Sequence, residues 1–453
     1  MTLRSAVPVS VRPLLLRLRP GEVGIALTLC AIMLGNAVAA QVSGIVAVSG
    51  FLSQVGTNQL LLVWIVDYLL VIGLAAAQSL LVDRFDRRPL IGAVSIAFGV
   101  LFILVRVLFL AQAPTWVGYS LLYLISDQQL LFFPLIFWVL AGDCFDTAQS
   151  KRIFPLIASF GFAGKLIGIA LAALSPGLVG TLLGSSADVL VANVVIYLAI
   201  GALICTRAGT MTNRQRRSQN AGVHATLVEG WDFVRAVPAF RYLTVAIVAL
   251  VACDLMLEFR FYTVSDQVFP NTESYQIFYS LYRLGFTIIA LVVEGVLAGR
   301  LLTRLGLKAT FFIRPCMALV GALWVSIAPS LPSAVGGMAL QKLPQMTIDE
   351  NARKSFQTLI PEERRGRVAI LMDVYLYALG SILGSLVVGA VVIVGAARSE
   401  TTPHQLYLAV AIAAAAVALW AVAALHRTYD TSLLNWRLHR RQRATAVLDR
   451  LQF

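Results

Sequence analysis

Apolar stretches of bilayer-crossing length follow one another through this chain, separated by short polar turns. A membrane-spanning helix takes about 20 mostly apolar residues, because lipid cannot satisfy exposed backbone N–H and C=O groups. The pattern predicts twelve helices. Six precede a polar stretch: Glu22–Gln41, Asn58–Leu81, Pro89–Ala111, Thr115–Ala141, Ile153–Leu174 and Ala187–Thr206. Six follow it: Ala239–Tyr262, Tyr275–Gly299, Ala309–Ala328, Leu331–Ile348, Arg367–Ala396 and Gln405–His426. Charged residues make up 13% of the 453, too few to cover a water-soluble fold of this size. The expected fold class is an all-α membrane protein.

The net charge of +13 would suit nucleic acid if it were gathered on one face. Instead the basic residues lie in the short loops, where the positive-inside rule accounts for them. With the N-terminus inside, and with Arg241 and Arg367 counted at the cytoplasmic ends of their helices, the cytoplasmic side carries 29 Lys and Arg. The outer loops carry one, Arg398. The asymmetry predicts two cytoplasmic termini in a bacterial-type inner membrane. The expected segments are a basic N-terminus (1–21), a first half (22–206), a cytoplasmic linker (207–238), a second half (239–426) and a basic tail (427–453). A cleaved signal peptide is the alternative for the start, but the apolar run from Val23 to about Ala40 exceeds a signal h-region. In the tail, Arg437, Arg440, Arg441 and Arg443 stand beside Trp436, Leu438, Leu448 and Leu451. That pattern reads as an interfacial helix on anionic lipid. Cys30, Cys144, Cys205, Cys253 and Cys316 are scattered, with no metal or redox spacing.

The two halves echo each other. The turn Asp83-Arg84-Phe85-Asp86-Arg87-Arg88-Pro89 has a counterpart in the second half, Thr303-Arg304-Leu305-Gly306-Leu307-Lys308. Gly164-x-x-x-Gly168 in the fifth helix is matched, at nearly the same offset, by Gly380-x-x-x-Gly384 in the eleventh. In folds built of such repeats, substrate sits near mid-membrane and the halves rock around it.

The stretch Ser79-x-Leu81-x-Asp83-Arg84-x-Asp86-Arg87-Arg88 resembles the loop signature of the major facilitator superfamily, Gly-x-Leu-x-Asp-Arg-x-Gly-Arg-Arg, with Ser79 and Asp86 in place of glycines. The second copy, Gly299-x-Leu301-x-Thr303-Arg304-x-Gly306-x-Lys308, keeps both glycines and has Thr303 for the acid. Two further stretches resemble the bacterial nucleotide-exchange (ATP/ADP translocase-like) branch. They are Asp143-Cys-Phe-Asp-Thr-Ala-Gln-Ser-Lys151-Arg152-Ile-Phe-Pro155, and Asn351-Ala-Arg-Lys followed by Pro361-Glu-Glu-Arg364-Arg-Gly-Arg367. The resemblance implies the twelve-helix major facilitator fold. It also implies that Asp83, Arg87 and Arg88 latch helix ends as a gate, where plain topology charge is the alternative.

An ionisable side chain at mid-bilayer costs about 2.5–3.5 kcal/mol on insertion scales, so each needs a partner or a function. Lys165 shares a face with Gly161 and Gly168, and a glycine face packs against other helices. Lys342 shares a face with Met338, Gln345, Met346 and Asp349, which suits a ligand wall; a Lys342–Asp349 pair is the alternative. Arg283, on a face with Tyr279, Thr287 and Ala290, offers a planar fork for carboxylate or phosphate. Lys165, Lys342, Arg283, Gln345 and Asp127 are thus the candidate substrate contacts, with structural pairing as the competing reading. Asp67, Asp254 and Glu258 read either as coupling acids or as counter-ions to Lys165, Arg106 or Arg283. Arg106, Arg260 and Arg314 lie near helix ends and read as snorkelling. His224, His404, His426 and His439 fall in loops or at helix ends, away from any bundle relay or metal site.

The reading that follows is a secondary transporter of an anionic solute, a nucleotide or phosphorylated metabolite, with the bilayer and that solute as partners. Proton-coupled efflux of an amphiphile is the alternative, with protons as a further partner. A membrane sensor without transport is the reading from another class. No cofactor, metal, nucleophile–base set or nucleotide-binding loop is visible, which argues against an enzyme.

Overall fold

The computed structural model describes residues 22–84, 87–183, 186–207, 223–357, 360, 362–397 and 403–451. Its helices are α1 Val23–Gln54, α2 Leu60–Arg84, α3 Arg87–Leu110, α4 Thr115–Cys144, α5 Thr147–Leu183 and α6 Leu190–Arg207, then α7 Val223–Ala236 in the linker. They continue with α8 Pro238–Val268, α9 Thr272–Val292, α10 Gly299–Thr310, α11 Ile313–Ile327 and α12 Leu331–Pro344. The last are α13 Glu350–Gln357, α14 Glu362–Ile370, α15 Leu376–Ala397 and α16 Pro403–Leu451. Three π-helical turns, Val293–Ala298, Gln345–Asp349 and Leu371–Tyr375, join α9 to α10, α12 to α13 and α14 to α15.

Nine helices among the described residues are long and apolar enough to cross a membrane, and Leu190–Thr206 and Ile313–Ile327 are shorter apolar helices. The tenth expected span is α12 with its π turn. The twelve-span reading therefore stands, with the ends longer than expected. α1 runs on past Gln41 to Gln54, and the eighth span continues beyond Gly299 until Gly306, whose φ of +73° breaks the helix. Only glycine enters that left-handed region without strain. The twelfth span runs on through the tail as one helix, so His426, expected at its end, and His439, expected in the tail, both lie within it. The side chains of Asp83, Arg87 and Arg88 lie outside the described residues, although their backbone ends α2 and begins α3.

The chain divides into two compact units. The first is Met1–Ala47 with Leu81–Gln219. Here α5 lies against α1 through its glycines: a Cβ at Gly164 would sit 2.5 Å from the Leu34 carbonyl oxygen, and one at Gly168 would sit 2.6 Å from that of Val38. α3 and α6 stack through Phe98 and Tyr197, rings 5.2 Å apart. The branch-like stretch starts α5: Asp146 and Gln149 cap its first turn reciprocally, at 2.8 and 2.9 Å. Arg152 then reaches Glu22 at the start of α1, 3.0 Å away.

The second unit is Val48–Leu80 with Asn220–Phe453. α15 lies against α8 as α5 lies against α1. A Cβ at Gly380 would meet the Val248 carbonyl oxygen at 2.9 Å, and one at Gly384 would meet that of Ala252 at 3.1 Å. The echoed glycine pairs thus make the same helix-on-helix joint in each unit. The linker helix α7 belongs to the core of the second unit, with Phe233 packed on Phe240 and Phe240 on Phe356. The turn between α1 and α2 packs here as well: Thr57 Oγ1 donates to Asp266 Oδ2 at 3.2 Å, and the Trp64 and Tyr262 rings lie 6.1 Å apart.

Candidate functional site

A connected set of charges runs through the second unit. Arg314, at the start of α11, is 1% exposed. Its Nη2 donates to Asp254 Oδ2 on α8 at 2.6 Å, and its Nη1 donates to Asp349 Oδ2 at 2.8 Å and to the Tyr377 hydroxyl at 3.3 Å. Asp349 also takes Arg353 Nε at 3.3 Å, and Arg353 pairs on its far side with Asp373. The sequence expectation for Arg314, snorkelling to the interface, is corrected here. Two carboxylates and a phenol engage both terminal nitrogens of the guanidinium inside the protein, while its buried Nε has no hydrogen-bond partner, so the side chain is held inward rather than at the interface. Arg260, 7% exposed and beside Tyr407, does not snorkel either. Arg106 is partly exposed and pairs with Asp188.

Two of the π turns build this set. Asp349 closes one and Asp373 sits in the other. A π turn wedges an extra residue into the helix and re-aims the side chains that follow, and such turns concentrate at functional sites. This also corrects two expectations for the Lys342 face. Met346, inside the turn, is about half exposed. Asp349 faces Arg314 and Arg353, so the Lys342–Asp349 pair does not form.

Lys342 has a different partner. Its Nζ lies 3.0 Å from Glu258 Oε2, with the two side chains 26% and 22% exposed. The Tyr262 hydroxyl donates to Glu258 Oε1 at 3.2 Å and lies 3.1 Å from the Tyr279 hydroxyl. Arg283 rests over the Tyr279 ring, 5.7 Å from its centroid. Asp254 and Glu258, one turn apart on α8, therefore divide the cations between them: Asp254 takes Arg314 and Glu258 takes Lys342. Gln345 Nε2 donates to Tyr377 at 3.3 Å, while its Oε1 is buried without a hydrogen-bond partner. Asp67, on α2, is buried in the same unit.

In the first unit, Lys165 is half-buried on α5 and Asp127 half-buried on α4. Beside Asp127 in the chain begins a neutral polar network absent from the sequence expectations. Tyr197 donates to Asn36 Oδ1 at 2.7 Å, Gln129 Nε2 donates to Tyr197 at 2.9 Å, and Ser43 bonds Gln129 Oε1. Asn36 and Gln129 were visible as polar residues in apolar helices; without charge they gave no stronger signal. Arg353 lies outside the predicted spans, whereas Asp373 falls near the start of the eleventh, where its position in sequence gave no sign of a partner. A cavity of about 550 Å³ opens beside the π turn Val293–Ala298, lined by Glu294, Ala298, Asn351, Lys354 and Ser355 among others. Neither Lys342, Arg283 nor Gln345 lines it. Among the described residues no group of three His, Cys, Asp or Glu could hold a metal ion.

Comparison with known proteins agrees with this architecture. Residues 104–328, just under half of the chain, match the family described as TLC ATP/ADP transporter. No curated protein matches the chain in sequence. Among solved structures, the nucleoside transporter NupG superposes with a TM-score of 0.62 at 13% identity, over 91% of this chain and 99% of that one. A bacterial homologue of the iron transporter ferroportin gives 0.60 at 13%, covering 90% and 98%. The POT family transporter PepTSo gives 0.59 at 11%, also covering 90% and 98%. At such identities the likeness shows the fold alone. That fold is the twelve-helix fold of major facilitator transporters, and each of these likenesses is to a transporter.

Proposed function

We propose that this protein is a secondary transporter that moves an anionic, nucleotide-like solute across an inner membrane by alternating access. The observation that carries the reading is the Lys342–Glu258 pair. Arg314 and its acids are sealed, whereas this pair sits on membrane helices and is still about a quarter exposed. A lysine that is reachable, charged and held by a single carboxylate can be offered to phosphate oxygens. Arg283 on its tyrosine and Gln345 with an unpartnered oxygen stand in the same unit as further contacts. The nucleotide-like class is supported by the partial match to the TLC ATP/ADP transporter family. Lys165 and Asp127 of the first unit stand as candidates on their sequence placement. Cytoplasmic termini belong to the same proposal, and protons enter as a partner in the alternative, proton-coupled efflux.

The test is counterflow in liposomes. Purified protein is loaded with unlabelled ADP, and uptake of labelled ADP, ATP, pyrophosphate or a lipophilic cation is followed. Nucleotide exchange that Lys342→Gln and Lys165→Gln each lower at least tenfold is expected. Uptake of the cation alone, driven by a pH gradient and indifferent to both substitutions, refutes the reading in favour of proton-coupled efflux.

A further inference from the structure

Lys342 stands at one end of a line of contacts whose other end is the α1–α2 turn. Glu258 has both oxygens engaged, Oε2 by Lys342 at 3.0 Å and Oε1 by the Tyr262 hydroxyl at 3.2 Å. Tyr262 is one helical turn further along α8. Its hydroxyl meets that of Tyr279 at 3.1 Å, and its ring lies 6.1 Å from that of Trp64 on α2. Tyr279 in turn stacks near Tyr275, rings 6.0 Å apart, and Tyr275 bonds Ser265 on α8 at 2.9 Å. At the far end, Thr57 bonds Asp266 at 3.2 Å, and Ser53 meets Thr272 at 2.5 Å. Trp64, Tyr262, Tyr275 and Tyr279 are all buried, so a shift of one is felt by the next.

An anion that approaches Lys342 meets a carboxylate already there. Two negative groups within about 4 Å of each other repel, and one lysine cannot hold both as well as it holds one. Glu258 therefore competes with the ligand for the same cation. When it withdraws, the acceptor of the Tyr262 hydroxyl moves with it.

We infer that Glu258 is a built-in stand-in for the anionic group of the substrate. It holds Lys342 while no anion is bound and gives way when one binds. Through Tyr262 it sets how Trp64 and the α1–α2 turn pack on α8 and α9. The inference rests on the reading that Lys342 meets the transported anion.

The experiment compares ADP and pyrophosphate binding to purified wild type, Glu258→Gln, Lys342→Gln and Tyr262→Phe. Spin labels at Asn58→Cys and Glu273→Cys report the packing of the turn, with Cys144, Cys205 and Cys316 replaced by serine. Glutamine keeps the size of Glu258 and its acceptor for Tyr262 but removes the competing charge. Glu258→Gln is expected to bind about tenfold tighter, which is about 1.4 kcal/mol. Tyr262→Phe is expected to bind within twofold of wild type yet lose the anion-induced change in label distance. Weaker or unchanged binding in Glu258→Gln overturns the stand-in while leaving the Lys342 site intact, provided Lys342→Gln binds poorly. A wild-type distance change in Tyr262→Phe overturns the transmission. If Lys342→Gln binds as wild type, or wild type binds neither ligand, both this inference and the site it rests on fall.

Discussion

Replacing Arg314 by glutamine removes the one cation that two buried carboxylates share. Breaking a buried ion pair by deleting one partner costs about 3–5 kcal/mol, because the remaining charge is left in a poor solvent. The geometry puts this case near the lower end. Asp349 keeps Arg353 at 3.3 Å, so only Asp254 loses its close guanidinium, the one at 2.6 Å. A loss of about 3 kcal/mol is expected for Arg314→Gln. Asp254→Asn should cost less, about 1.5–3 kcal/mol, the worth of a charged hydrogen bond, since Arg314 retains Asp349. Because the two residues touch, their effects should not add: the double variant should cost clearly less than the sum. Equilibrium unfolding in mixed micelles, titrated with a denaturing detergent, gives all four stabilities. An Arg314→Gln variant as stable as wild type, or strict additivity in the double variant, would refute the buried-network reasoning. A triple change of Arg314, Asp254 and Asp349 to similar-sized apolar residues should recover much of the stability while abolishing transport.

Two other outcomes follow from the helix joints and the charge pattern. Gly164→Ala should destabilise by about 1–3 kcal/mol, because its Cβ would lie 2.5 Å from the Leu34 carbonyl oxygen, whereas Gly177→Ala, with nothing within 4 Å, should be neutral; equal effects would dissolve the close-contact argument. Single cysteines at Ser218 and Thr272 should react with an impermeant thiol reagent from opposite sides of the membrane, and labelling of both in intact cells would overturn the cytoplasmic placement of the linker.

Much of the architecture was legible because the bilayer imposes one length and one chemistry on every span. The echoed glycine pairs were legible for a related reason. Two backbones approach closely only where a side chain is missing, so Gly164, Gly168, Gly380 and Gly384 had to mark joints. Helical-wheel reasoning held for Asp254 and Glu258, which do lie on one side of an uninterrupted helix. It failed past Pro344, where the π turn rotated Met346 outward and Asp349 toward Arg314. Arg314 itself was misjudged because depth from a helix end says nothing about partners on other helices. Those partners, Asp254 and Asp349, come from 60 and 35 residues away. The neutral network of Asn36, Gln129 and Tyr197 was silent because amides and phenols in apolar helices carry no charge to balance.

The sealed Arg314 has a consequence for how the chain is made. A growing polypeptide enters the bilayer in order, and α11 is a short segment of 15 residues with a guanidinium at its start. When it emerges, Asp349 has yet to be synthesised, and Asp254 on α8 is the acid of the set already in place. Partitioning of α11 into lipid is therefore conditional on a helix laid down earlier, at a stage when an unpartnered arginine would hold the segment near the headgroups. Asp254 thus acts during insertion as well as in the finished protein, and Asp254→Asn should lower the yield of inserted protein in addition to the stability of what is recovered.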